Sequence, residues 1–189
     1  MYNLDKAVDI LKNGGIVIFP TDTAFGIGCR IDDESAVRKL FELRKRSKDK
    51  AVPILASSIQ MVEDYVQPFD SDIRELMQKY WPGALTLVLA CKVEKLPSLV
   101  RGGGNTIGIR IPDHNSALRV IRAVGVPILG PSANFAGGKT PFEFSDLDPN
   151  LVRKVDFVLP GQCKIKKPST VLDVTVKPWK VVRAGAVSL

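Results

Sequence analysis

For most of its length the chain alternates between short runs of β-favouring apolar residues and segments whose apolar residues recur at helical spacing. Such a chain buries its strands against helices, which selects the α/β class. Leu4, Ala7, Val8 and Leu11 form the first helical stripe, and Gly14-Gly15 closes it before the run Ile16 to Phe19. A second stripe, with Ala36, Val37, Leu40, Phe41 and Leu43, predicts a helix over 34–44. Further helices are expected over 58–66, 72–80 and 116–124, the second of these opened by a capping-box-like pair, Asp72 and Glu75. Strands are expected over 52–56, 85–91, 106–111, 126–129, 155–159, 171–174 and 180–182. With 189 residues, no internal repeat and no linker, the expectation is one α/β domain over 1–189, with helices packed on a mixed sheet.

Several function classes drop out early. The run Ile16 to Phe19 is cut by Pro20, and no apolar run approaches the ~20 residues of a membrane span. The first residues lack a basic stretch followed by an apolar one, so the reading is a soluble cytoplasmic protein. Cys29, Cys91 and Cys163 are odd in number and form no C-x-x-C pair, which points to buried free thiols rather than disulfides or zinc. His114 is the sole histidine, so a histidine-dependent nucleophilic triad would hang on it alone. Flanked by Asp113 and Asn115, it reads instead as a turn or helix start.

The net charge of +7 suggests an anionic partner, and its distribution is uneven. Segments 44–50, 101–139 and 161–189 carry +4, +4 and +5, while the three stretches around them are each −2. Phosphate binding calls for Gly-rich turns or helix starts with Lys and Arg donors. Gly138-Lys139-Thr140 ends like a P-loop, but Ala133 stands where the leading glycine belongs and Pro141 follows at once. Ser132-Ala133-Asn134 follows an expected strand, where open α/β sheets tend to bind ligands, although such a triplet is also a common turn. Thr21-Asp22-Thr23 is open to two readings, a side-chain-stabilised turn between strands or a ligand contact.

Seven motifs stand in register: Pro20 to Gly28, Arg44-Lys45-Arg46 with Lys50, Trp81-Pro82-Gly83, Thr106 to Pro112, Pro131 to Asn134, Pro168 to Asp173 and Arg183 to Ala186. Together they resemble the YrdC-like threonylcarbamoyl-AMP synthases, in the short form without an extra C-terminal domain. The resemblance implies a twisted α/β sheet with a concave basic cavity. It also implies a nucleotidyltransferase that condenses L-threonine, bicarbonate and ATP into threonylcarbamoyl-AMP and pyrophosphate, with Mg2+ accompanying ATP. The product serves threonylcarbamoyl-adenosine modification of tRNA, so tRNA or tRNA-modification proteins are possible partners. Carried over position by position, Arg46, Lys50, Thr106, Ser132, Asn134, Thr140 and Arg183 would bind ATP. Thr23, Arg110 and Ser169 would bind threonine, Arg110 through the carboxylate. No protein nucleophile is implied, and no side chain as a metal ligand. Arg44 replaces the family's first lysine, Phe25 a tyrosine, and Ser47, Ala84 and Asn115 prolines. Two other readings are an RNA-binding module without catalysis, to which Lys164, Lys166 and Lys167 could contribute, and a relative that handles carbamoyl-adenylate.

Overall fold

The apolar run that ends at Pro20 becomes strand β1 (Val17–Pro20), and it is buried on both faces. Side chains alternate across a strand. Ile16 and Ile18 therefore enter the main core, while Val17 and Phe19 enter a second core behind it. Two helices cover that second core, α1 (Tyr2–Lys12) through Ala7 and Leu11, and α5 (Asn115–Val124) through Val120, Ile121 and Val124. These observations come from a computed structural model that describes residues 2–189.

The remaining elements are β2 (Phe25–Gly28), α2 (Glu34–Leu43), β3 (Ile54–Leu55), α3 (Ile59–Glu63), α4 (Ser71–Tyr80), β4 (Leu85–Ala90), β5 (Thr106–Arg110), β6 (Ile128–Leu129), α6 (Pro149–Val152), β7 (Phe157–Val158), β8 (Thr170–Asp173) and β9 (Lys180–Arg183). The α/β class holds, but the strands form two mixed sheets rather than one. The smaller has the order β2-β1-β7, and the larger β6-β3-β5-β4-β8-β9. The sheets meet where β2 crosses the end of β6. There an added Cβ on Gly28 would stand 2.0 Å from the carbonyl oxygen of Leu129, so only glycine permits the crossing.

Local chemistry accounts for the helix ends. Asp33 caps α2 by accepting from the Ala36 amide, and Gly125, at φ +86°, ends α5 in the left-handed conformation. The expected Asp72/Glu75 box is absent. Helix α4 begins at Ser71 with Asp70 as its N-cap, and Asp72 then lies in the first turn, where its charge suits the helix dipole. Strand β2 and the short α6 were not expected, because Gly26 and Gly28 dilute the strand pattern and α6 spans only 4 residues. No described helix is long and apolar enough to cross a membrane.

Candidate functional site

The six-stranded sheet has one dry face and one open face. Leu85, Leu87 and Leu89 of β4, Ile107 and Ile109 of β5 and Leu172 of β8 belong to the main core. The alternate positions Thr86, Val88, Thr106, Gly108, Arg110 and Val171 line a cavity of about 630 Å3. Gly108 helps keep the floor open, since an added methyl would fill the space beside Thr86 and Pro53. The opposite wall comes from the turn after β1, with Thr21 and Thr23, from Phe25 and Gly26 of β2, and from Arg44 at the end of α2. Four arginines, Arg44, Arg46, Arg110 and Arg183, line this cavity, and no carboxylate does.

The turn Pro20 to Ala24 is built by Thr21. Its hydroxyl donates to the Ala24 carbonyl at 2.7 Å and accepts from the amides of Thr23 and Ala24 at 3.2 Å. The turn reading of this segment therefore holds, and Thr21 and Thr23 both reach the cavity wall as well. Asp22 points behind the wall. Its Oδ1 accepts from Arg110 Nη1 at 2.6 Å in a buried ion pair, and Arg110 Nη2 donates to Thr21 Oγ1 at 3.2 Å.

Arg44 is the other buried guanidinium, only 3% exposed. Its Nε donates to the Asn134 carbonyl at 2.9 Å, and its own carbonyl accepts from the Ala136 amide. No acid faces it, and its buried Nη1 has no hydrogen-bond partner among the described residues. Burial, reinforced by the charge of Arg46, pushes its pKa down to about 10, so the group stays cationic at neutral pH. Arg46 is half-buried and donates to the carbonyls of Lys50 and Ala51, which curls the 44–50 loop at the cavity mouth.

At the far side, Arg183 of β9 grips Ser169 three times, with Nε and Nη2 on its carbonyl and Nη2 on its hydroxyl at 3.0 Å. That hydroxyl also pairs with Thr86 Oγ1 at 2.8 Å. Burial and the nearby Arg110 both lower the pKa of Arg183. The return of the chain after β9 requires Gly185, where a Cβ would lie 2.4 Å from the Ser169 carbonyl carbon.

Of the residues singled out in the sequence, Thr23, Arg46, Thr106, Arg110, Ser132, Thr140, Ser169 and Arg183 line the cavity together. Lys50 and Asn134 do not. Lys50 is exposed on the 44–50 loop. The Asn134 amide is consumed locally: Nδ2 donates to the carbonyls of Phe135 and Gly138, and Oδ1 accepts from the Ser132 hydroxyl. Asn134 thus shapes the turn that presents Ser132. No helix begins at Thr140, the next helical turn being a short 3-10 turn at Phe144–Asp146, which disposes of the P-loop reading. His114 is the N-cap of α5. Nδ1 lies 3.4 Å from the Ala117 amide and Nε2 3.2 Å from the Gln162 carbonyl, an arrangement suited to a neutral ring with its proton on Nε2. All three thiols are free and buried, and burial with Asp33 and Asp32 nearby pushes Cys29 up to about 12.

Two cavity residues escaped the sequence reading. Thr86 is the polar residue inside Leu85-Thr86-Leu87, and strict alternation would have placed it opposite the leucines. Arg44 stood out as part of the basic cluster and as a departure from a lysine, but was given no ligand of its own, and its burial depends on the distant Asn134 turn. Among the described residues no cluster of three or more His, Cys, Asp or Glu could hold a metal ion.

Residues 9–185 match the Sua5/YciO/YrdC family, described as "Telomere recombination". The threonylcarbamoyl-AMP synthase of Bacillus subtilis is 35% identical over 187 residues, covering 97% of this chain and 53% of the relative. That of Pyrococcus abyssi is 33% identical over 184 residues, covering 97% and 54%. The crystal structure of P. abyssi Sua5 complexed with L-threonine superposes with a TM-score of 0.89 at 32% identity, covering 96% of this chain and 54% of that one. The chain thus spans about half the length of these relatives. A cavity between two mixed sheets, lined by residues of six of the seven ordered motifs, and a family match over nearly all residues lead to one conclusion: the chain belongs to the Sua5/YciO/YrdC family.

Proposed function

We propose that the chain is a threonylcarbamoyl-AMP synthase, which converts L-threonine, bicarbonate and ATP into threonylcarbamoyl-AMP, pyrophosphate and water. The observation that carries this reading is a cavity with four arginines and no acid, including one buried guanidinium with no acidic partner and an unpartnered Nη1. An uncompensated buried cation is costly to a protein and is best explained by an anionic ligand. Relatives named threonylcarbamoyl-AMP synthase and a neighbour complexed with L-threonine point to the same chemistry.

Arg44 and Arg46 hold the phosphates, with Lys50 reaching them from the mouth of the cavity. Ser132, held by Asn134, contacts the nucleotide together with Thr106 and Thr140. Arg110 holds the threonine carboxylate, with Thr23 and Ser169 on the same ligand. The threonine amine combines with bicarbonate to give a carbamate, with loss of water. A carbamate oxygen then attacks the α-phosphorus of ATP, and the bond to pyrophosphate breaks. Arg183, anchored on Ser169, sits where the two ligands meet and stabilises the charge that develops on the α-phosphate. The work is positioning and electrostatics, and it needs no protein nucleophile.

The cavity wall offers no carboxylate to a divalent cation, so magnesium enters as part of the MgATP substrate, bound to its phosphate oxygens. The product feeds a later transfer to tRNA, in the cytoplasm and by other proteins. The test is pyrophosphate release from MgATP and bicarbonate with and without L-threonine. Threonine-dependent release is expected, and its absence overturns the reading.

A further inference from the structure

Two cations, Arg183 on Ser169 and the nearby Arg110, stand at this end of the cavity, and a single anion, Asp22, accompanies them. The net charge there is +1, which one bound carboxylate neutralises. At Arg44 and Arg46 the balance differs. Arg44 faces no acid, and the only carboxylate that acts on Arg46 is the exposed Asp49.

We propose that Asp22 determines specificity at the Arg110 end of the cavity: by pairing with Arg110 it limits that end to one positive charge, so that a zwitterionic amino acid is accepted and a dianion such as inorganic phosphate is refused. The inference rests on the assignment of Arg110 and Ser169 to threonine. Asp22 itself touches no ligand. It is 1% exposed and does not line the cavity, and it acts through Arg110.

The geometry of the pair supports this role. A carboxylate placed for stability alone would take both prongs of the guanidinium fork. Asp22 takes one, through Oδ1, and leaves the buried Oδ2 without a partner; with Thr21 Oγ1 on the other nitrogen, Arg110 still has N–H groups left of its five. The main chain that carries Asp22 is held in place. Its carbonyl accepts from the Ile165 amide at 2.8 Å, and Gly161 packs against Pro20 so closely that a Cβ there would stand 2.6 Å from the proline ring. Without this counter-charge both ends of the cavity would attract the triphosphate, and it could enter in either direction. A feature that repels the wrong ligand arrangement is as much a part of specificity as one that attracts the right one.

The test is calorimetric titration of the full chain with L-threonine, alone and in the presence of inorganic phosphate. In the wild type, phosphate should weaken ATP binding and leave threonine binding unchanged. In Asp22→Asn, which keeps the shape and removes the charge, phosphate should compete with threonine with an affinity raised about tenfold or more, the scale of one uncompensated charge at a partly buried site. Asp22→Glu should restore the refusal of phosphate. A merely structural role would lower the melting temperature of Asp22→Asn without changing the competition. Competition between phosphate and threonine in the wild type overturns the proposal even if the variant does not fold. So does an Asn variant that folds and still refuses phosphate. If the wild type binds no L-threonine at all, the assignment of this end to threonine fails, and the role given to Asp22 fails with it.

Discussion

Arg44 and Arg110 are buried almost equally, at 3% and 5% exposure, yet their surroundings are opposite. Arg110 has a carboxylate at 2.6 Å, whereas Arg44 has a backbone carbonyl and an unpartnered Nη1. A buried ion pair gains mutual attraction that offsets much of the desolvation of both charges, and a lone buried cation has no such offset. The first arrangement can serve the apo protein. The second makes sense only when a ligand supplies the missing charge.

Substitutions at the two arginines should therefore behave differently. Arg110→Met should have the largest effect on stability, because it leaves Asp22 as a buried carboxylate with no cation. The expected loss is about 3–5 kcal/mol by chemical denaturation, and adding Asp22→Asn should recover much of it. Arg44→Met removes a charge that nothing in the apo protein compensates. Its folding stability should change by less than that of Arg110→Met. ATP binding by calorimetry should weaken by about ten- to a hundredfold, the value of a hydrogen bond or two to a charged group. Equal destabilisation by the two substitutions would break the contrast between a paired and an unpaired arginine.

Arg44→Lys sharpens the same contrast. It keeps the charge, but lysine lacks the planar fork that lets Nε hold the Asn134 carbonyl while the side chain lines the cavity. A loss of about 1 kcal/mol in stability is expected for the missing bond, with ATP affinity between those of wild type and Arg44→Met. Ser169→Ala should cost a similar amount, since it removes the partner of Thr86 Oγ1 and one of the three contacts from Arg183. Its threonine affinity should fall further than its ATP affinity, which titration of each ligand would show.

The smallest effect lies outside the cavity. Burial holds His114 below the usual imidazole range, while the unfolded chain takes up the proton near pH 6.5. The stabilising contribution of the neutral ring is complete above about pH 6.5 and is lost as the pH falls through that value toward the folded pKa. Denaturation midpoints should drop between about pH 7.5 and about pH 5.5. His114→Asn, which retains an N-capping side chain, should flatten that slope without altering ATP binding.

Much of the fold was legible because its elements are long enough to repeat a period. Helices α1, α2 and α5 and strands β4 and β5 lie where the apolar spacing put them. Strand β2 was not legible, since Gly26 and Gly28 serve a crossing between sheets rather than a local pattern. The division into two sheets was hidden for a related reason, because both faces of β1 are apolar and give no sign of which strands flank it. Within the site, eight of the ten residues singled out line one cavity, seven of them from the ordered motifs. The pairing of Arg110 with Asp22 and the burial of Arg44 were invisible, because their partners lie as many as 90 positions away.

By itself, then, the sequence determined the α/β class, the helix stripes, the free thiols, the structural histidine and the kinds of side chain available to hold anions. These follow from residue chemistry and from periods of two and 3.6, which are local properties of the chain. The tertiary structure alone decided which of those charges would be compensated. Arg44, Arg46, Arg110 and Arg183 come from four separate stretches, and only the folded sheets set one beside a buried aspartate and leave another without a counter-ion. Electrostatic energy depends on distance through space and on access to water, and neither is written in the spacing of residues along the chain.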